Sequence, residues 1–220
     1  MHQVFDRARN SMVDGQVRPN KVTDPNIIEA MRRIPRERFV PRHLQSMAYV
    51  DEDIHVGKGR YLPEPMVIAR LLQAAEVKGT DIALVVGSGM GYAAALVGCL
   101  AGTVVGIEQD AEMTRHAEGL LHDLGIVNGV VIQRPDIREG YVQQGPYDVI
   151  VINGSVPAVP ETIRNQLAEG GRLVTVLSEK GHMGAGVLIV RSGEDFTSHT
   201  LFDAATPTLA GFEAPKAFVF

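Results

Sequence analysis

The residues best placed to do chemistry are Gly87-Ser88-Gly89-Met90-Gly91 and the carboxylates that follow them. The stretch comes directly after the apolar run Ile82-Ala83-Leu84-Val85-Val86 and before an apolar segment of helical character, so it reads as a strand-to-helix turn. Glycines there permit a tight reversal and let a ligand approach the backbone. Glu108 ends the next apolar run, 21 residues after Gly87, where a carboxylate can accept hydrogen bonds from both hydroxyls of a ribose. The pairing points to an adenosine-containing ligand. The plainer alternative is a turn that only reverses the chain, with Glu108 capping the helix that begins near Asp110. Asp136, after the third run, stands on the same edge; it can accept from an adenine amino group or serve as an ordinary turn aspartate.

Spacing narrows the ligand. A dinucleotide fold wants G-x-G-x-x-G, and Tyr92 occupies the place of the third glycine. No lysine follows the turn, which removes the charge that a nucleotide triphosphate site uses. Ser88 and Ser155 lack the G-x-S-x-G frame of a serine hydrolase. The histidines are scattered without metal-ligand spacing, so no metal is expected.

The elements that must position these residues alternate in type. Strands are predicted over 82–86, 103–107, 129–133, 147–152 and 171–177, with helices over about 91–100, 110–124 and 160–168. The strands are continuous apolar runs, as a parallel sheet covered on both faces requires. The fold class is therefore α/β, a doubly wound Rossmann-like sheet with a helical N-terminal extension. GAGVLIVRS, TSHTLFDA and APKAFVF follow without helices, which predicts antiparallel C-terminal strands. Three loops, after the first, third and fourth strands, converge on one crevice; the last is Asn153-Gly154-Ser155-Val156-Pro157.

Residues 1–62 read as a helical preface with a substrate loop, and 63–220 as the cofactor-binding core of one domain. Thr23-Asp24-Pro25 caps a helix with Ile27, Ile28, Met31 and Ile34 on one face, and Pro35 stops it. A short helical stretch over about 38–47 follows, then the irregular loop YVDEDIHVGKGRYLPEP. A further helix starts at Pro65, with Val67, Ile68, Leu71, Leu72 and Ala75 inward. The charges of 31–38 read as a solvated face.

A net charge of −5 gives no electrostatic footprint for a nucleic acid. Cys99 is the one cysteine and sits in an apolar run, which suits an inert thiol in a reducing compartment. No apolar stretch resembles a signal peptide or a membrane span, so a cytoplasmic location is expected.

In order along the chain, IPRERFVP (34–41), AYVDEDIHVGKG (48–59), VVGSGMGY (85–92), VVGIEQD (104–110), LGIVNGVV (124–131) and PYDVIVINGSVPAVPETIRNQLAEGGRLV (146–174) resemble the protein-L-isoaspartate O-methyltransferase family. The resemblance implies methyl transfer from S-adenosylmethionine to the carboxylate of an isomerised aspartate in a peptide or protein, with S-adenosylhomocysteine as product. It implies cofactor contacts from Gly87, Ser88, Gly89, Gly91, Tyr92, Glu108, Gln109, Asp136 and Ile137, and substrate contacts from Asp51, Tyr61, Leu62, Pro63 and Glu64. It also implies a monomer or weak homodimer. Pro63 stands where the family carries its active-site serine and has no donor to offer; Tyr61 is the neighbouring hydroxyl, or a loop tyrosine packed on the surface. Val85 replaces the acid usual before the glycine turn, and LFDAATPTLAGF has no clear counterpart. Two alternatives stay open: a cofactor-binding protein of this fold that has lost catalysis, and a methyltransferase with another acceptor.

Overall fold

A computed structural model describes residues 2–178 and 183–213. Helix α1, His2–Met12, runs on through a π turn and a 3-10 turn to Asn20. Helix α2 covers Pro25–Arg33; the Asp24 side chain accepts from the Asn26 N–H at 2.8 Å, and Pro25 fills the first turn. Ile27, Ala30 and Met31 are buried. The stretch expected to be helical over 38–47 forms two 3-10 turns, Arg36–Phe39 and Arg42–Met47, because Pro35 and Pro41 interrupt any longer helix. The segment expected to be irregular contains a hairpin, β1 Ile54–Gly57 and β2 Arg60–Leu62. Its turn places Gly57, Lys58 and Gly59 at φ of 107°, 52° and 69°, a conformation that two of those three residues adopt without a Cβ penalty. Helix α3, Pro65–Ala75, buries all five residues assigned to its inner face.

The alternating region follows as expected: β3 Ile82–Val86, α4 Tyr92–Leu100, β4 Thr103–Glu108, α5 Ala111–Asp123, β5 Gly129–Gln133 and β6 Tyr147–Val156. Three boundaries differ: β6 runs on to Val156, past the end at 152 that the sequence predicts, and the next helix ends and the next strand starts early. Helix α6 is only Glu161–Arg164, and β7 begins at Leu167 and runs to Leu177. The Gln166 side chain explains this: it bonds the Tyr141 N–H and the carbonyls of Glu139 and Thr162, and its backbone carbonyl takes the Tyr147 N–H, so the chain leaves the helix there to pair with β6. Strands β8, Gly184–Ser192, and β9, Asp195–Ala204, are the two antiparallel C-terminal strands. The third, APKAFVF, lies outside the described residues.

The sheet order is β5-β4-β3-β6-β7-β8-β9, parallel from β5 to β7. Alternation along the central strands divides the core: Ala83, Val85, Val149 and Val151 face one cluster, and Leu84, Val86, Ile150 and Ile152 the other. Both faces are dry, which is why these strands read as unbroken apolar runs. Among the described residues no helix is long and apolar enough to cross a membrane. Cys99 is half-buried, and burial pushes its thiol up. Ile150 sits between β3 and β7 with no exposure, so Ile150→Ala is expected to cost about 2–5 kcal/mol in urea unfolding.

Candidate active site

Strand order reverses at β3: the chain continues through β4 to β5 on one side and crosses to β6 and β7 on the other, and ligands of open α/β sheets bind outside the carboxyl ends at that point. The glycine turn lies there. Gly87, Gly89 and Gly91 have φ of 72°, 54° and 97°, a region closed to most side chains. The N–H groups of Gly87 and Ser88 both donate to the Ile107 carbonyl, tying the turn to β4. A Cβ on Gly91 would lie 2.8 Å from that of Ala117, so this glycine lets α4 and α5 touch. Asn153 donates its side-chain N–H to the Gly87 carbonyl at 3.0 Å, which joins the loop after the fourth strand to the turn as expected. That loop is itself the end of β6.

Glu108 ends β4 and has no exposure. Its carboxylate accepts from the N–H groups of Gly89 at 2.8 Å, Gln109 at 2.7 Å and Asp110 at 3.1 Å. It also receives a two-pronged bond from Arg60, Nε at 2.9 Å and Nη2 at 3.0 Å. Helix α5 is capped by Asp110 rather than by Glu108. Asp136 is half-buried; it caps the 3-10 turn Ile137–Glu139 and holds the guanidinium of Arg138, whose hydrogen bond keeps the carboxyl below its ordinary range. Exposed Gln109 reaches the Pro135 carbonyl at 2.8 Å, and Ile137 is buried in the core. Ser88 is buried and donates to the Val85 carbonyl. Tyr92 is buried on α4 against Phe39, ring centroids 5.3 Å apart.

The residues expected to contact substrate lie just before the hairpin, on its second strand and in the turn after it. Leu62 and Pro63 are buried, Asp51 is exposed, and the Tyr61 ring lies against His55 at 5.0 Å. The Pro63 carbonyl accepts from Arg36 Nη2 at 2.5 Å, and Arg36 Nε donates to the Ala48 carbonyl at 2.7 Å. Arg36 has no exposure and lies 5.1 Å from the Tyr92 ring centroid, while Glu37 is buried with its carboxylate on the Tyr49 hydroxyl. The charged run 31–38 is therefore not wholly a solvated face: Arg36 turns inward to hold the chain on either side of the hairpin. Sequence reasoning missed Arg36, Arg60, Leu209 and Ala210. Their partners lie 12 to 150 positions away, beyond the reach of any local pattern.

Glu64 donates its N–H to Asp53, and burial, then the nearby Asp51 and Asp53 charges, push its carboxyl above the ordinary value of 4.5. A carboxyl raised on folding contributes stability below its unfolded pKa and loses it as pH rises through the folded value. Glu64→Gln is therefore expected to raise the thermal midpoint at pH 7, and the gain to vanish at about pH 3.5, in melts of both proteins.

The family described as protein-L-isoaspartate(D-aspartate) O-methyltransferase matches residues 7–200. A protein-L-isoaspartate O-methyltransferase from Koribacter versatilis is 42% identical over 170 residues, 77% of this chain and 75% of its own length. One from Rhodopseudomonas palustris is 35% identical over 203 residues, 92% of this chain and 93% of its own. A solved protein-L-isoaspartate O-methyltransferase superposes with a TM-score of 0.77 at 25% identity, covering 93% of this chain and 67% of that one. A Plasmodium falciparum structure in complex with S-adenosyl-L-homocysteine gives 0.74 at 20% identity, covers 92% and 98%, and bears on the fold alone. The chain belongs to the protein-L-isoaspartate(D-aspartate) O-methyltransferase family.

Proposed function

We propose that this chain is an S-adenosylmethionine-dependent methyltransferase of the isoaspartyl-repair type, acting on the carboxylate of an isomerised aspartate in a peptide or protein. The observation that carries the reading is Glu108 at the end of β4 beside the Gly89 N–H, a carboxylate and a glycine turn at the switch point of a chain of this family. The residue types fit the cofactor: the turn is built on glycines, and Glu108 and Asp136 are carboxylates of the kind that bind ribose and adenine, on one edge. Ser88, Tyr92, Gln109 and Ile137 flank these residues. Residues 63–220 then hold the cofactor, and 1–62 present the acceptor.

When bound, the cofactor supplies an electrophilic methyl group on a sulfonium. A carboxylate acceptor is already ionised at neutral pH and needs no base, so alignment provides most of the acceleration. The protein's share is therefore positioning, and Pro63, which has no N–H or hydroxyl, is compatible with it. Its carbonyl is held by Arg36, which fixes the turn that faces the acceptor. The net charge of −5 and the lone cysteine support a cytoplasmic protein without a nucleic-acid partner; the monomer or weak homodimer rests on the family resemblance alone.

One observation favours a second reading, an acceptor that is not a carboxylate. Asp51, Asp53 and Glu64 crowd the same turn, and each repels an anionic acceptor that comes near it. Incubation of the protein with methyl-labelled cofactor and paired isoaspartyl and aspartyl peptides tests both. Methyl ester on the isoaspartyl peptide alone is the expected result; label on neither peptide, with a methylated product of other mass from a cell extract, selects the second reading.

A further inference from the structure

The crevice that this reading assigns to an adenosyl ligand is filled by the chain itself. Arg60 and Glu108 are 4% and 0% exposed, and their contact is side-on through two nitrogens. Counting the N–H groups of Gly89, Gln109 and Asp110, five donor nitrogens meet a carboxylate with roughly four lone-pair sites, so no acceptor is left for a ribose diol. The third nitrogen of Arg60, Nη1, donates to the Ala210 carbonyl at 2.8 Å. That bond draws in residues 207–212, which also pair with β6: Ser155 N–H to the Pro207 carbonyl at 3.1 Å and Leu209 N–H to the Ser155 carbonyl at 2.8 Å. Leu209 is 3% exposed and seats on the glycine turn, where a Cβ on Gly87 would lie 2.7 Å from its Cδ1. The cavity left beside Arg60, bounded by Lys58, Gln109 and Asp110, is about 210 Å³, below the roughly 300–1,000 Å³ of small-molecule sites.

We propose that Arg60 is a built-in competitor for the ribose of the adenosyl ligand, and that the resting chain excludes S-adenosylmethionine and S-adenosylhomocysteine until Arg60 and the 207–212 segment are displaced together. The proposal rests on the methyltransferase reading and adds to it a cofactor site under self-occlusion. The guanidinium offers Glu108 what the ribose hydroxyls would, two adjacent donors, with the added attraction of its charge. It is carried by a hairpin whose turn is Gly-Lys-Gly, so the arm that bears it ends in residues of wide backbone freedom. A ligand that must break this contact binds with its intrinsic affinity reduced by the small fraction of open molecules.

Calorimetric titration with S-adenosylhomocysteine of the full chain, of Arg60→Ala and of Arg60→Gln tests the competition. Both variants are expected to bind at least about tenfold more tightly than the native protein, because the closed state no longer competes. Equal affinity in all three overturns the competition and leaves the methyltransferase reading standing; no binding by any of them overturns both. Should the variants fail to fold, hydrogen exchange on the native protein decides. Saturating S-adenosylhomocysteine is expected to release the Leu209 amide, whose bond to Ser155 must open, and protection that stays unchanged in the bound protein refutes the displacement.

Discussion

A carboxylate without exposure governs the arrangement of this molecule. Taking an ion of that size out of water costs several kcal/mol unless charge and hydrogen bonds replace the solvent. At Glu108 the replacement comes from three separate pieces of chain: the glycine turn, the two residues that lead into α5 and the β1–β2 hairpin. None of these can shift far without leaving the carboxylate short of partners, so one side chain sets the relation of sheet, helix and hairpin. Through Arg60 the same network extends to Ala210.

A second charge plays a comparable part on the other side of the hairpin. Arg36 is enclosed, burial lowers its guanidinium pKa, and two of its nitrogens are spent on backbone carbonyls at Ala48 and Pro63. It thus spans the ends of the segment that contains the hairpin. Pro63 brings no hydroxyl to this turn, yet the turn is held by its main chain, which depends little on what side chain position 63 carries. Methyl transfer to an ionised oxygen asks for geometry more than for proton chemistry, and a rigid main chain can supply it.

The parts of this fold that were legible in the sequence are those where local pattern and tertiary context agree. The parallel strands announce themselves because both faces are covered, and the glycine turn because its backbone needs φ above zero at three positions. The hairpin was illegible because each strand is short and its stabilising contacts are distant: Arg60 answers to Glu108, 48 positions away. The composition of 160–168 is ordinary for a helix and predicts a longer α6 than forms, because Gln166 withdraws the chain through contacts with Glu139 and Tyr141. Residues 205–212 show no pattern of their own, since their structure is set by Ser155 and Arg60 rather than by periodicity.

Among the described residues the sheet ends in β5 on one side and β9 on the other. A bare strand edge is a template on which another copy of the chain can add itself, and proteins with such edges must discourage it. On β9 the central run Thr197-Ser198-His199-Thr200 is exposed, flanked by Asp195 and Asp203, and Arg70 lays its guanidinium over the Phe202 ring at 4.0 Å. The strand therefore shows water hydroxyls, an imidazole and acids where an apolar strip would invite stacking. An arriving strand would find on β9 a hydrogen-bonding backbone but no apolar strip to cover, so pairing with a second copy at this edge gains little from side-chain burial.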